Sequence, residues 1–151
     1  MEGMTFIVKN ITRVIISIIF LFSIYITFYG HLTPGGGFAG GIMLACGLIL
    51  LTLAYGKNMA FKKLSDFWAS ILDNLGALTF WLIAILGYIG GYFFVNFIEK
   101  SNPFGLLSSG TILINNIAIG VKVFASVFAV FLALTIFGRF VSGSISTEED
   151  D

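Results

Sequence analysis

Apolar runs of roughly 20 residues recur along this 151-residue chain, at 14–29, 38–55, 75–98 and 117–140. A helix of about 20 residues crosses a hydrocarbon layer of about 30 Å, and modest tilt or snorkelling ends absorb the differences in length. Helix is preferred over strand because each run far exceeds the roughly 10 residues of a barrel strand and none alternates polar with apolar. Charged residues make up 11% of the chain, against about 25% in an ordinary soluble domain. A soluble enzyme, a nucleic-acid binder and a disulfide scaffold are therefore ruled out. Eight basic and eight acidic residues balance, so no global field draws in an acidic partner. Cys46 and His31 are each the only residue of their type, which leaves no internal disulfide and no Cys/His metal cluster. The first run is too long for a signal-peptide core, and no small-residue cleavage site follows it. The expectation is an all-α integral membrane protein, one domain over residues 1–151 with four transmembrane helices, multi-pass in the cell membrane and without cofactor or metal.

Lys and Arg set the expected orientation. Lys9, Arg13, Lys57, Lys62, Lys63 and Arg139 fall on one side, Lys100 alone on the other, and Lys122 inside a span. Both termini are expected to be cytoplasmic, with the glycine-rich turn after the first run and the 99–112 loop facing outward. Residues 60–73 are expected to lie along the inner interface before the third helix, and 144–151 to form a short solvated end. Small residues that let helices approach occur at Gly36/Gly40, Gly37/Gly41, Gly87/Gly91 and Ala125/Ala129/Ala133. Four short helices cannot use all of these faces around a wide pore, so some are expected to meet other subunits; the plainer alternative keeps all of them inside the bundle.

Three polar features stand out. The first is the turn Gly30-His31-Leu32-Thr33-Pro34-Gly35-Gly36-Gly37, followed by Gly40 and Gly41. Pro34 ends a helix, and the glycines after it permit backbone geometry closed to other residues. His31, the chain's one histidine, reads either as a proton relay at an ion entrance or as a helix-end cap in a tight turn. The second is Lys122, on one face with Ala118, Ala125, Ala129 and Ala133. An intramembrane Lys is a functional candidate by default. Against that, Lys122 lies about 25 Å of helix from Arg139, near the outer surface, where its stem can snorkel. His31 and Lys122 then share a depth and are expected to border one polar cavity. The third is Asp73-Asn74, placed at the head of the third helix, where a carboxylate caps exposed amides or lines an inner-side ion path. Asn115-Asn116, at the head of the fourth, allow the same two readings. No Ser/His/Asp or Cys/His arrangement and no carboxylate pair within the spans is visible, so no catalytic centre is expected.

The segment Tyr29-Gly30-His31-Leu32-Thr33-Pro34-Gly35-Gly36-Gly37-Phe38-Ala39-Gly40-Gly41 resembles the signature of the B subunit of Mrp-type multisubunit sodium/proton antiporters, a family that includes related subunits of respiratory membrane complexes with an Mrp-like module. Ser108-Ser109-Gly110-Thr111 and Asn116-Ile117-Ala118-Ile119-Gly120-Val121-Lys122-Val123 resemble its second block, and Asp73-Asn74-Leu75-Gly76-Ala77 a weaker third. Ile112 departs from the pattern, which often has Pro there. The resemblance implies a non-catalytic four-helix subunit that helps form or brace a sodium or proton pathway. Its implied partners are small Mrp-type subunits, large antiporter-like subunits, sodium ions, protons and the lipid bilayer, with no nucleic acid. His31, Pro34 and Lys122 are the matched positions of most interest, with Asp73 beside them. The implied parent is either a free-standing antiporter or a redox-driven complex of hydrogenase or sulfane-sulfur reductase type. The absence of Gln leans slightly toward the second through a heat-adapted composition. A scaffold carrying no ions is the alternative from another class. A self-sufficient small transporter is disfavoured by the lack of internal repeats.

Overall fold

The computed structural model describes residues 4–56, 66–96, 98 and 109–148, with side chains placed up to 138 except at 66. Its helices are α1 (Phe6–Phe28), α2 (Gly37–Tyr55), α3 (Asp66–Leu86), extended by a 3-10 turn at Gly87–Gly90, and α4 (Thr111–Glu148). Among the described residues there is no strand, and four segments are long and apolar enough to cross a membrane: Phe6–Phe28, Gly37–Tyr55, Phe67–Gly90 and Thr111–Gly138.

Several boundaries differ from the sequence expectation, among them the start of α4 at Thr111 rather than 117. α1 begins at Phe6 rather than 14, because Phe6, Ile7 and Ile11 continue the helical pattern through Lys9 and Arg13. α3 begins at Asp66, so 66–73 already belongs to the third helix rather than preceding it, while 60–65 lie outside the described residues. Its acidic first residue suits a helix start better than Asp73 does. α3 also stops at Leu86 instead of 98: glycines at 87, 90 and 91 break it, and Gly91 turns the chain at φ +103°. At the other end of the chain, α4 continues through Arg139 to Glu148, so 144–148 is helix rather than a loose tail. Lys57, Lys62, Lys63 and Lys100, on which the orientation expectation partly rested, lie outside the described residues.

Lateral order follows from close contacts. α2 packs against both α1 and α4, and α4 packs against both α2 and α3. The backbone of Met4 donates to Ala54 and the Tyr55 hydroxyl donates to the Lys9 carbonyl, so α1 and α2 run antiparallel. Gly37 lies on Asn116 and Gly41 on Gly120, which makes α2 and α4 parallel; Gly76 lies on Ala118 and Lys122, which makes α3 and α4 antiparallel. The interior is built of small and hydroxylated residues. Ala45, Ala125 and Ser23 are fully buried, with Phe128 and Leu132 packed against Leu48 and Ile49. Large apolar side chains such as Phe6, Leu21 and Ile89 point outward, the arrangement expected when lipid rather than water is the solvent.

Candidate functional site

Two polar regions sit at different levels of the bundle. The first is the turn between α1 and α2. Leu32 and Thr33 both donate from the backbone to the Tyr29 carbonyl (2.9 and 3.0 Å), and the Thr33 hydroxyl donates to the same oxygen. Gly35 and Gly36 take φ +152° and +103°, which L side chains rarely adopt, and so Pro34 can be followed at once by α2. The turn is pressed onto α4. A Cβ on Gly30 would stand 2.9 Å from the Asn116 Nδ2, and one on Gly41 2.6 Å from the Gly120 carbonyl. Gly37 and Gly40 are tighter still, against Asn116 and Thr27, and the Ser23 hydroxyl donates to the Gly40 carbonyl. His31 is half-buried in this turn with its Nδ1 shielded from solvent, and Pro34 is exposed.

The second region lies between α3 and α4. Lys122 Nζ donates to Asp73 Oδ1 at 2.8 Å, and the Ser126 hydroxyl donates to the same oxygen. Asp73 is therefore not a helix cap; seven residues into α3, its carboxylate faces α4. Lys122 does not snorkel toward a membrane surface either: its ammonium turns sideways onto α3. Measured along the helices, Lys122 is about 16 Å from Thr111 and about 24 Å from Gly138, and Asp73 is about 9 Å from Phe67 and about 25 Å from Gly90. The pair thus lies well inside both apolar spans. Both donors act on Oδ1, so among the described residues Oδ2 has no partner. The side chains keep 43% (Lys122) and 33% (Asp73) of their surface exposed on the flank of the bundle. Charged groups at that depth face protein or water rather than lipid. Gly76 makes the pairing possible, since a Cβ there would stand 2.9 Å from the Cβ of Lys122.

Three contributors were missed in the sequence. Ser126 was legible, being one helical turn beyond Lys122 on the same face. Asn116, read as a possible cap, instead seats the glycine-rich turn; only knowledge of helix order reveals this. Asn96 gave no local signal. Its Oδ1 accepts from the Thr111 backbone (3.1 Å) and hydroxyl (3.2 Å), and its Nδ2 donates to the Ser109 carbonyl, so it caps α4 from a distant loop. Asn116 and Lys122 are separated by about 9 Å of rise along α4, which sets the His31 turn and the ion pair at successive levels of the same helix.

Residues 7–129 match the family described as "Domain related to MnhB subunit of Na+/H+ antiporter". The chain belongs to the MnhB family. This is the Mrp-type family that the glycine-rich signature resembled, and with its four apolar helices the chain is a multi-pass membrane protein. Among its MnhB-related relatives is the B-type Na(+)/H(+) antiporter subunit of Alkalihalophilus pseudofirmus, 41% identical over 83 residues, 54% of each chain. An uncharacterized protein of Methanocaldococcus jannaschii is 40% identical over 103 residues, covering 64% of this chain and 39% of that protein. The matched stretches thus span from about two fifths to about half of these relatives. A chain in the structure of the membrane-bound sulfane sulfur reductase, an archaeal respiratory membrane complex, superposes with a TM-score of 0.71 and 26% identity, over 86% of this chain and 60% of that one.

Proposed function

We propose that this MnhB-family chain is a non-catalytic subunit of a sodium/proton-translocating Mrp-type module, and that Asp73, Lys122 and Ser126 are its contribution to the ion pathway. The observation that carries this reading is an ion pair within the membrane span, part-exposed on the flank of its own chain. Charged groups at that depth are costly and face protein or water rather than lipid. The open Oδ2 of Asp73 is a place where a proton or a sodium ion can be held, and the adjacent ammonium tunes how tightly. Neighbouring Mrp-type subunits cover the flank. In this reading both termini are cytoplasmic, from the Lys/Arg count. The His31 turn closes the opposite end of the bundle and is the other candidate position on the pathway.

The parent assembly is a redox-driven respiratory complex, a reading supported by the likeness to the sulfane sulfur reductase chain. The higher identity to the Alkalihalophilus protein favours the second reading, a free-standing antiporter. Copurification decides between the two: iron–sulfur or nickel-site subunits mark the first, their absence the second.

The transport role is tested in the assembled complex with Lys122→Met, Asp73→Asn and His31→Ala. The ion-path reading predicts that the first two abolish sodium-dependent transport in complexes that still assemble. Wild-type transport from all three would make the chain a scaffold.

A further inference from the structure

The ion pair is not the only polar feature on the seam between α3 and α4. Ser109 and Asn115 are each 8% exposed, and among the described residues Ser109 Oγ and Asn115 Oδ1 have no hydrogen-bond partner. Buried polar atoms are almost always satisfied, and when protein does not do it, ordered water does. The positions of these groups are informative. Ala118 and Lys122 both lie against Gly76 of α3, and Asn115 precedes them by three and seven residues, on the same helical face. The antiparallel register that joins Asp73 to Lys122 and Ser126, and Gly76 to Ala118 and Lys122, sets Asn115 opposite the stretch of α3 around Phe80 and Ile83. Thr111, one turn earlier, is tied to Asn96 at the mouth of the seam. Polar side chains therefore recur along one line, from Asn96, Ser109 and Thr111 through Asn115 to Lys122, Asp73 and Ser126. This line covers about 22 Å of rise between Thr111 and Ser126.

We propose that the α3–α4 seam holds a file of water that enters at the Asn96 end, is held midway by the Asn115 carboxamide, and hydrates the Lys122–Asp73 pair from that side. This deepens the ion-path reading and rests on it, since it names the route by which one aqueous phase reaches the pair. A hydrated route explains how a salt bridge persists within the span, and why a carboxamide whose oxygen has no partner among the described residues is kept between α3 and α4 where an apolar residue would pack without cost. It also gives Asn96 a second role, as the polar rim that keeps the start of α4 wet.

The test is thiol accessibility in the intact complex, in a Cys46→Ala background that removes the native thiol. Asn115→Cys is compared with Ile114→Cys, a neighbour at the same depth but exposed on the outside of the bundle. A membrane-impermeant cationic methanethiosulfonate reagent is applied from each side in turn. Only a hydrated thiol ionises and reacts. The expected result is labelling of Asn115→Cys about tenfold faster than of Ile114→Cys, from the Asn96 side alone. Hydroxyl-radical footprinting of the wild-type complex provides a second measurement that needs no variant: Ile83, buried opposite Asn115, is expected to be modified. An unreactive Asn115→Cys together with an unmodified Ile83 would overturn the water file. The ion-path reading fails separately: a labelled Asn115→Cys alongside unimpaired transport by Lys122→Met keeps the water and removes its role, and the converse keeps the pair and removes the route.

Discussion

The two sides of α4 solve the same packing problem in opposite ways. Toward α2, the helices close by removing side chains: Gly37 and Gly41 bring backbone onto the backbone of Asn116 and Gly120, and Ser23 and Thr27 spend their hydroxyls on nearby carbonyls. Toward α3, contact is made through an ion pair, a hydroxyl and a carboxamide whose oxygen lacks a partner among the described residues, and part of this surface is exposed on the flank. The α2 side is finished within one chain. The α3 side stays part-exposed among the described residues, and in the proposed function neighbouring subunits cover it. That asymmetry is why the proposed function treats the conspicuous glycine-rich motif as architecture and assigns the ion path to the less conspicuous Asp73–Lys122 pair.

Bulk introduced on the closed side gives the largest expected effect. Gly37→Leu would drive a side chain into the Asn116 backbone, an overpacking cost of about 3 kcal/mol or more. The complex should fail to accumulate, as blue-native electrophoresis of membranes would show. Next comes the open side. Lys122→Met leaves Asp73 without its counter-charge at membrane depth, a loss of about 2–3 kcal/mol on insertion scales. Adding Asp73→Asn should recover most of this in a thermal-shift measurement while transport stays absent. Asn96→Ala removes the remote cap of α4 and should lower stability by about 1 kcal/mol, read by the same assay. Smallest is Gly138→Ala, at a position where a Cβ meets nothing within 4 Å. It should be neutral or stabilising by up to about 1 kcal/mol, and a marked loss would show that an unseen partner helix lies against that face.

How much of this could be read from the residues follows the same division. The four spans were legible because hydropathy is a sum over many side chains and tolerates local error. Their ends were not, since Asp66 and Asp73 are both plausible starts for α3, and Asp73 is instead taken up by Lys122 and Ser126 across the seam. Lys122 was recognisable as anomalous from its place in an apolar run. Its partner was not, because Asp73 and Lys122 are 49 positions apart and meet through the α3–α4 register. The small-residue faces divided as well: Gly37, Gly40 and Ala125 are used inside the bundle, whereas Ala129, Ala133 and Gly91 remain open.

The most direct test of the central claim is a cryo-EM map of the assembled complex in lipid, at a resolution that separates acyl chains from water and protein. The account predicts that the flank bearing Asp73 and Lys122 is covered by a helix of another subunit or by ordered water, with the 2.8 Å contact intact. Acyl chains lying directly against both side chains would contradict it.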